Sequence, residues 1–283
     1  MKIGVIGNGF VGKATQILGC ADIELAIYDI DPTLCSPPGL TIEKMGDCEV
    51  IFISVPTPMQ ENGECFLGIV KTVVQQLDDS NYRGLKVLRS TVPPGTSDTL
   101  GCHFMPEFLT EKNFEEDFRN NKLWIFGLCS DEDVCRRRKD ELVLSKLIEL
   151  AHQKERITSG RTLFLTNKEA EMTKMFRNTF LATKVSLCNE FAQFCALKGI
   201  NYENVRVAAT DDDRIGASHT MVPGPDGRNG FGGTCFPKDT GSMVHEMKKS
   251  GMIPYVLEAA QTRNVEVDRP EKDWETDHGR AVI

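Results

Sequence analysis

Short apolar runs separated by polar stretches recur through the first 166 residues. Lys2 to Ile6, Glu24 to Tyr28, Val50 to Val55, Leu85 to Leu88, Gly101 to Phe104, Leu123 to Leu128 and Thr162 to Leu165 have the length and composition of buried strands. Between some of them apolar residues recur at helical spacing, as in Leu67 to Leu77 and in Glu132 to His152 with its charged face. Strands alternating with helices predict an α/β fold, an N-terminal Rossmann-type doubly wound parallel sheet covered by helices. The pattern changes after Thr166. From Asn167 to about Gly199 prolines and internal glycines are absent, and Met172, Met175, Phe176, Thr179, Leu187, Phe191 and Phe194 recur at helical spacing. One long helix is expected, capped by Thr166 or Asn167, with Glu169 and Glu171 in its favourable first turn. Its Met and Phe stripe reads as core or as the seam of a dimer. Shorter helices are expected at Asn201 to Ala209, Lys238 to Lys249 and Pro254 to Glu266. The predicted organisation is a Rossmann-type domain over 1–166, an all-helical domain over 167–268, and a polar, loosely ordered tail over 269–283.

Two stretches carry candidate chemistry on this frame. After the first strand, Gly7-Asn8-Gly9-Phe10-Val11-Gly12 opens a helix, and the second strand ends at Asp29. Strand, G-x-G-x-x-G, helix, strand and acid follow one another at about the spacing of a dinucleotide fold. Gly7 makes the tight turn, Gly9 lets a pyrophosphate approach the backbone, and Gly12 packs helix on strand. Asp29 would accept hydrogen bonds from the adenosine ribose and repel a 2′-phosphate, which favours NAD over NADP.

The second stretch is Gly230-Phe231-Gly232-Gly233-Thr234-Cys235-Phe236-Pro237-Lys238-Asp239. It places one thiol on a glycine turn, with a cation three residues on and a carboxylate one further. Pro237 suits the first turn of a helix. Cys235 would then lie near a helix N-terminus, where the dipole and Lys238 favour thiolate over thiol. The plainer reading is a small buried thiol beside a turn. Between Gly216 and Gly233 lie six glycines and two prolines, too many for a regular element. Running straight into Cys235, this loop reads as functional, with backbone amides able to hold a sugar or phosphate.

Composition removes several alternatives. The 283 residues are 40% hydrophobic and 26% charged, as in an ordinary globular protein, and a net charge of −8 argues against nucleic acid or an anionic membrane as the main partner. No apolar run approaches a membrane span, and no signal peptide precedes the first strand. The ten cysteines are scattered, with no C-x-x-C pair and no Cys/His cluster at zinc spacing. No metal is expected, and the thiols read as free ones in a cytoplasmic, reducing setting.

Taken together the motifs resemble the UDP-glucose/GDP-mannose dehydrogenase family. They are Gly7-x-Gly9-x-x-Gly12, Val55-Pro56-Thr57-Pro58, Ser90-Thr91-Val92-Pro93-Pro94-Gly95-Thr96, Pro106-Glu107-Phe108-Leu109-x-Glu111, Lys174-x-x-x-Asn178, Asp213-Arg214-Ile215-Gly216 and Gly232-Gly233-x-Cys235-x-Pro237-Lys238-Asp239. They occur in the family's order and extend to about Val267. The resemblance implies oxidation of a sugar C6 alcohol to the carboxylate with two NAD, on a nucleotide-sugar substrate, in a homodimer. It implies that Cys235 carries a thiohemiacetal and then a thioester. Lys174 would stabilise an alkoxide, Asp239 would handle protons through a water, Glu107 would act as base in hydrolysis, and Asn178 would donate to the developing oxyanion. Phe10, Val11, Val55, Pro56, Thr57, Thr91, Glu111 and Lys238 would line the cofactor site with the three glycines and Asp29. Phe108, Leu109, Arg214, Phe231, Gly232 and Gly233 would meet substrate with Lys174 and Asn178, Arg214 from across the dimer.

Longer members carry a third domain that forms much of the nucleotide-binding surface. The expected form here is a short one, with the chemistry intact and a weaker grip on the nucleotide. Two other readings stay open on the residues: a single-step dehydrogenase of the 3-hydroxyacid type, which makes no use of a thiol, and an NAD-binding module without turnover.

Overall fold

A computed structural model describes residues 1–130 and 133–283, so Glu132, where the charged helix was expected to begin, lies outside the described residues. The chain folds as two compact units, one of Met1–Thr57 with Leu67–Lys174, the other of Pro58–Phe66 with Met175–Ile283.

The first unit is built on β1 (Lys2–Ile6), β2 (Glu24–Tyr28), β3 (Val50–Ile53), β4 (Leu85–Leu88), β5 (His103–Phe104), β6 (Trp124–Leu128) and β7 (Thr162–Thr166). Among the described residues they form one sheet in the order β2-β1-β3-β4-β5-β6-β7. Every neighbouring pair is parallel except β5 with β6. Helices α1 (Phe10–Gln16), α2 (Gly68–Asp79), α3 (Thr96–Thr99), α4 (Phe114–Arg119) and α5 (Val134–Gln153) belong to the same unit.

Alternation along the strands sorts their side chains into two cores. Ile3, Val50, Phe52, Val87, Trp124 and Phe126 pack with Ala14 of α1, Leu18 just beyond that helix, Phe118 of α4 and Leu144, Leu147 and Ile148 of α5. Ile6, Ile51, Ile53, Leu88 and Phe104 pack instead with Val70, Val73, Val74 and Leu77 of α2. Apolar strands buried on both faces are what a doubly wound sheet requires. Each such large side chain, once buried, contributes about 1.5–3 kcal/mol. The loops at the carboxyl ends of the strands are therefore carried on a firm base. The strand order changes direction at β1, with β2 on one side and β3 on the other, and the crevice at such a switch point is where a dinucleotide binds.

One long helix, α6 (Asn167–Leu197), begins in the first unit and continues into the second. Its start is a reciprocal box: the Thr166 N–H and hydroxyl donate to Glu169 at 2.8 and 2.7 Å, and the Glu169 N–H points back to the Thr166 hydroxyl at 3.4 Å. The expected stripe divides. Met175 and Thr179 are buried, whereas Phe176, Leu187, Phe191 and Phe194 are each more than half exposed, so that part is not core of this chain.

The second unit adds α7 (Tyr202–Thr210), α8 (Phe236–Lys249), α9 (Tyr255–Arg263) and a π-helical turn over Asn264–Asp268 that prolongs α9. The glycine-rich stretch before Cys235 forms no regular element. The terminal segment from Arg269 was expected to be loosely ordered, and here it is packed. Trp274 and Ala281 are buried, the Arg269 guanidinium lies 2.7 Å from both Asp226 and Asp273, and Ala281 and Ile283 hydrogen-bond the backbone of Met59. Its polar residues neutralise one another, which polar composition alone does not disclose.

Candidate active site

The glycines of the first turn divide the work by geometry. Gly7 has φ +91, and a Cβ there would meet the Ser54 carbonyl at the end of β3. A Cβ on Gly12 would collide with the carbonyl of Gly7. Both are demanded by the chain itself. Gly9 is different: it has an ordinary φ of −71, and a Cβ there would find nothing within 4 Å. Packing does not explain it, whereas room for a ligand against the backbone does. Helix α1, with Phe10 and Val11 in its first turn, has no side-chain cap, as an anion-binding helix start requires.

Asp29, just past β2, accepts from the Asn8 N–H at 2.7 Å and the Asp31 N–H at 3.0 Å, which ties the glycine turn to the acid. Val55, Pro56 and Thr57 follow β3 at the switch point. The Ser90 hydroxyl donates to the Val55 carbonyl at 2.6 Å and the Thr57 hydroxyl to the Thr91 carbonyl at 2.8 Å, so the loops after β3 and β4 are joined. Glu111 opens a short 3-10 turn near the surface. The first unit thus gathers, at its topological switch point, residues that fit a dinucleotide.

The same unit holds a buried ion pair. Lys174 of α6 donates to Glu107 Oε1 at 2.5 Å, both side chains being 4% exposed, and the Leu109 N–H donates to Oε2 at 2.9 Å. The Lys174 ammonium also lies 5.8 Å from the Phe108 ring centroid. A carboxylate fixed at both oxygens beside a cation can take a proton from water or hold an oxyanion's counter-charge.

In the second unit Cys235 is the N-cap residue of α8, half-buried, with Pro237 in the first turn, as expected. Asp239 is fully buried and accepts from Lys238 Nζ at 2.6 Å and from Asn178 Nδ2 at 2.5 Å. Burial disfavours the Lys238 ammonium, yet the charges of Asp239, Cys65 and Cys235 hold its pKa above the ordinary lysine value. Lys238, which the resemblance assigns to the cofactor site, is thus paired with Asp239 in this cluster. The Asn178 amide points at Asp239 here. Phe231 is buried; Gly232 packs against the Arg269 guanidinium, and Gly233 has φ +70. Arg214 is exposed and forked onto Asp212, at 2.5 Å, apart from this cluster.

Four further residues bear on these groups: Glu171, expected only as a first-turn charge of the long helix, and Arg89, Asn189 and Asn264, which sequence reasoning did not single out. Glu171 accepts from the Gly95 and Ser97 N–H groups at 2.5 and 2.8 Å and holds the loop that follows Thr91. Arg89 is buried, with its carbon Cζ 5.4 Å from the Phe118 ring centroid; burial brings its pKa down to about 10, against the pull of the Glu107 charge. Asn189 and Asn264 bind the backbone just before Cys235. The signal that could have exposed Arg89 is a charge at the end of the apolar run Leu85 to Leu88. For the two asparagines there was none.

The model of the central domain of the UDP-glucose/GDP-mannose dehydrogenase family matches residues 168–266, and that of the family's NAD binding domain matches residues 40–142. The chain is 32% identical to a UDP-glucose 6-dehydrogenase of Pseudomonas aeruginosa, over 93% of this chain and 65% of the relative. It is 30% identical to the UDP-glucose 6-dehydrogenase TuaD of Bacillus subtilis, over 94% and 64%. It thus spans about two thirds of the length of these relatives. Among solved structures, a UDP-glucose dehydrogenase from Pyrobaculum islandicum superposes with a TM-score of 0.78 at 23% identity, over 93% of this chain and 67% of that one. A 3-hydroxyisobutyrate dehydrogenase of Mycobacterium tuberculosis shares the fold at a TM-score of 0.70 and 16% identity, over 99% and 96%. With both domain models matched in order along the chain, it belongs to the UDP-glucose/GDP-mannose dehydrogenase family of NAD-dependent nucleotide-sugar dehydrogenases.

Proposed function

We propose that this chain oxidises the C6 alcohol of a nucleotide sugar of the UDP-glucose type to the carboxylate, in two steps through a covalent intermediate on Cys235. The observation that carries the reading is the start of α8. A half-buried thiol sits at the helix N-terminus, three and four residues before a buried Lys238–Asp239 pair that Asn178 completes.

Bound NAD supplies the hydride acceptor for both oxidations. Gly7, Gly9, Gly12 and the first turn of α1 hold its pyrophosphate, and Asp29 takes the adenosine ribose hydroxyls, favouring NAD over NADP. The side chains of the chain supply the rest. Loss of the alcohol proton leaves an alkoxide, which the Lys174 cation stabilises. Asp239, hydrogen-bonded by Lys238 and Asn178, relays that proton through a water. The thiolate of Cys235 adds to the aldehyde carbon, and the oxygen takes up a proton to give a thiohemiacetal. Its oxidation leaves a thioester, with Asn178 and Lys174 available to the oxyanion. Glu107 then draws a proton from water, hydroxide adds to the thioester carbon, and the C–S bond breaks to return the thiol and the acid. The outward apolar face of α6 is the surface for a second copy of the chain in this reading.

The test is stoichiometry. Each UDP-sugar consumed should yield two NADH and one acid, and Cys235→Ala should abolish acid formation while a reversible first hydride transfer survives. One NADH per substrate with Cys235→Ala fully active would replace this reading by single-step oxidation. No NADH from any UDP- or GDP-sugar would leave a cofactor-binding module.

A further inference from the structure

The turn that carries Cys235 is held from behind by side chains to which the proposed chemistry assigns no role. Asn264 is 1% exposed and brings both ends of its amide to one residue: Oδ1 accepts from the Phe231 N–H at 2.7 Å, and Nδ2 donates to the Phe231 carbonyl at 2.9 Å. One residue earlier, the Gly230 N–H donates to Oδ1 of Asn189, on α6, at 3.1 Å. Two asparagines therefore fix consecutive residues of the loop. A neutral amide is the side chain that offers a donor and an acceptor at once.

The backbone beneath is shaped for this contact. Asn264 is the first residue of the π-helical turn, and the Arg269 N–H closes on its carbonyl at 2.7 Å, five residues on. Such widened turns recur at functional sites. Gly230 has φ +67, and a Cβ there would strike Oδ1 of Asn264 and the Cβ atoms of Asp268 and Arg269; a Cβ on Gly232 would strike the Arg269 guanidinium. Both glycines are thus accounted for by close approach of the loop to the π turn. Between Phe231 and Cys235 only Gly232, Gly233 and Thr234 intervene. Glycines leave such a link conformationally permissive, so the position of the thiol depends on how firmly Phe231 is anchored. Beyond Cys235, the Phe236 ring meets the Phe231 ring edge-on, at 6.5 Å between centroids, which brackets the thiol.

We infer that Asn264, seconded by Asn189, is a positioning residue for the Cys235 turn: it presets the thiol at the N-terminus of α8 without touching substrate. The inference rests on Cys235 being the nucleophile, but one arm of its test does not need turnover. The reactivity of Cys235 toward iodoacetamide is measured by peptide mapping in the full chain, with the exposed Cys135 as internal reference. Asn264→Ala, and Asn264→Asp, which keeps the acceptor but loses the donor, should retain the circular dichroism spectrum and the NAD affinity. The Cys235 to Cys135 alkylation ratio should fall in both. With a UDP-sugar substrate kcat should drop about a hundred-fold, with KM changing far less, since displacement of a reacting group by an ångström costs that much.

A folded Asn264→Ala with an unchanged or higher alkylation ratio and an unchanged kcat overturns the inference. If the Asn264 variants do not fold, Asn189→Ala faces the same two measurements and the same criterion. Should wild type give no NADH from any nucleotide sugar, the functional reading falls and the alkylation ratio alone decides the matter.

Discussion

At the scale of single residues, the buried charges carry the sharpest expectations. Lys174 and Glu107 are each 4% exposed and paired at 2.5 Å. Removing one partner leaves an uncompensated buried charge, at a cost of about 3–5 kcal/mol, whereas replacing both by apolar groups costs far less. Urea unfolding of Lys174→Met should show that loss, and Lys174→Met with Glu107→Leu should recover most of it. Glu171 makes a different case. It is fully buried, and desolvation raises its carboxyl above the ordinary 4.5 despite the two amides that lower it. The folded chain thus holds this proton more tightly than the unfolded chain does. Its contribution is fully present below pH 4.5 and is lost as pH rises through the raised value. Stability measured from pH 4.5 upward should therefore decline less steeply in Glu171→Gln than in wild type. An identical slope would remove Glu171 as a source of that pH dependence.

At the scale of elements, most of the framework was legible because it rests on local pattern. The residues of β1, β2 and β4 follow from apolar runs alone, and α6 from an unbroken helical period with a Thr-x-x-Glu start. That start is itself testable. Thr166→Ala should cost about 1 kcal/mol in thermal or urea unfolding, through loss of the reciprocal cap. What local pattern missed is what depends on distance. Val50 to Val55 was expected as strand, but pairing ends at Ile53, where the chain leaves the sheet to build the crevice. Pro254 to Glu266 was expected as one helix, and apolar spacing cannot tell an i+4 ladder from the i+5 closure that begins at Asn264. Asn264 and Phe231 are 33 residues apart, so their contact leaves no short motif. The candidate chemistry was more legible than its supports, because Gly7 to Gly12 and Gly230 to Asp239 are contiguous stretches whereas Asn189, Asn264 and Arg269 reach the second of them through tertiary folding.

At the scale of the whole molecule, the outward face of α6 is the largest unanswered demand. Phe176 is 64% exposed and Phe191 55%, with Phe180, Leu187 and Phe194 similarly bare. A contiguous apolar surface of this kind is usually covered in solution. Light scattering at micromolar concentration should report a dimer, and Phe191→Asp with Phe176→Asp should report a monomer; a monomeric wild type would refute the expectation. The opposite situation holds at Gly9, where nothing fills the space above the backbone and the helix start lacks a side-chain cap. A serine would fit there without strain, would cap α1, and would narrow the unfolded ensemble. Gly9→Ser should therefore raise the unfolding free energy by about 0.5–1 kcal/mol while weakening NAD binding, as paired urea and NAD titrations would show. The native glycine is then a standing sacrifice of robustness, and selection on folding alone would erase it.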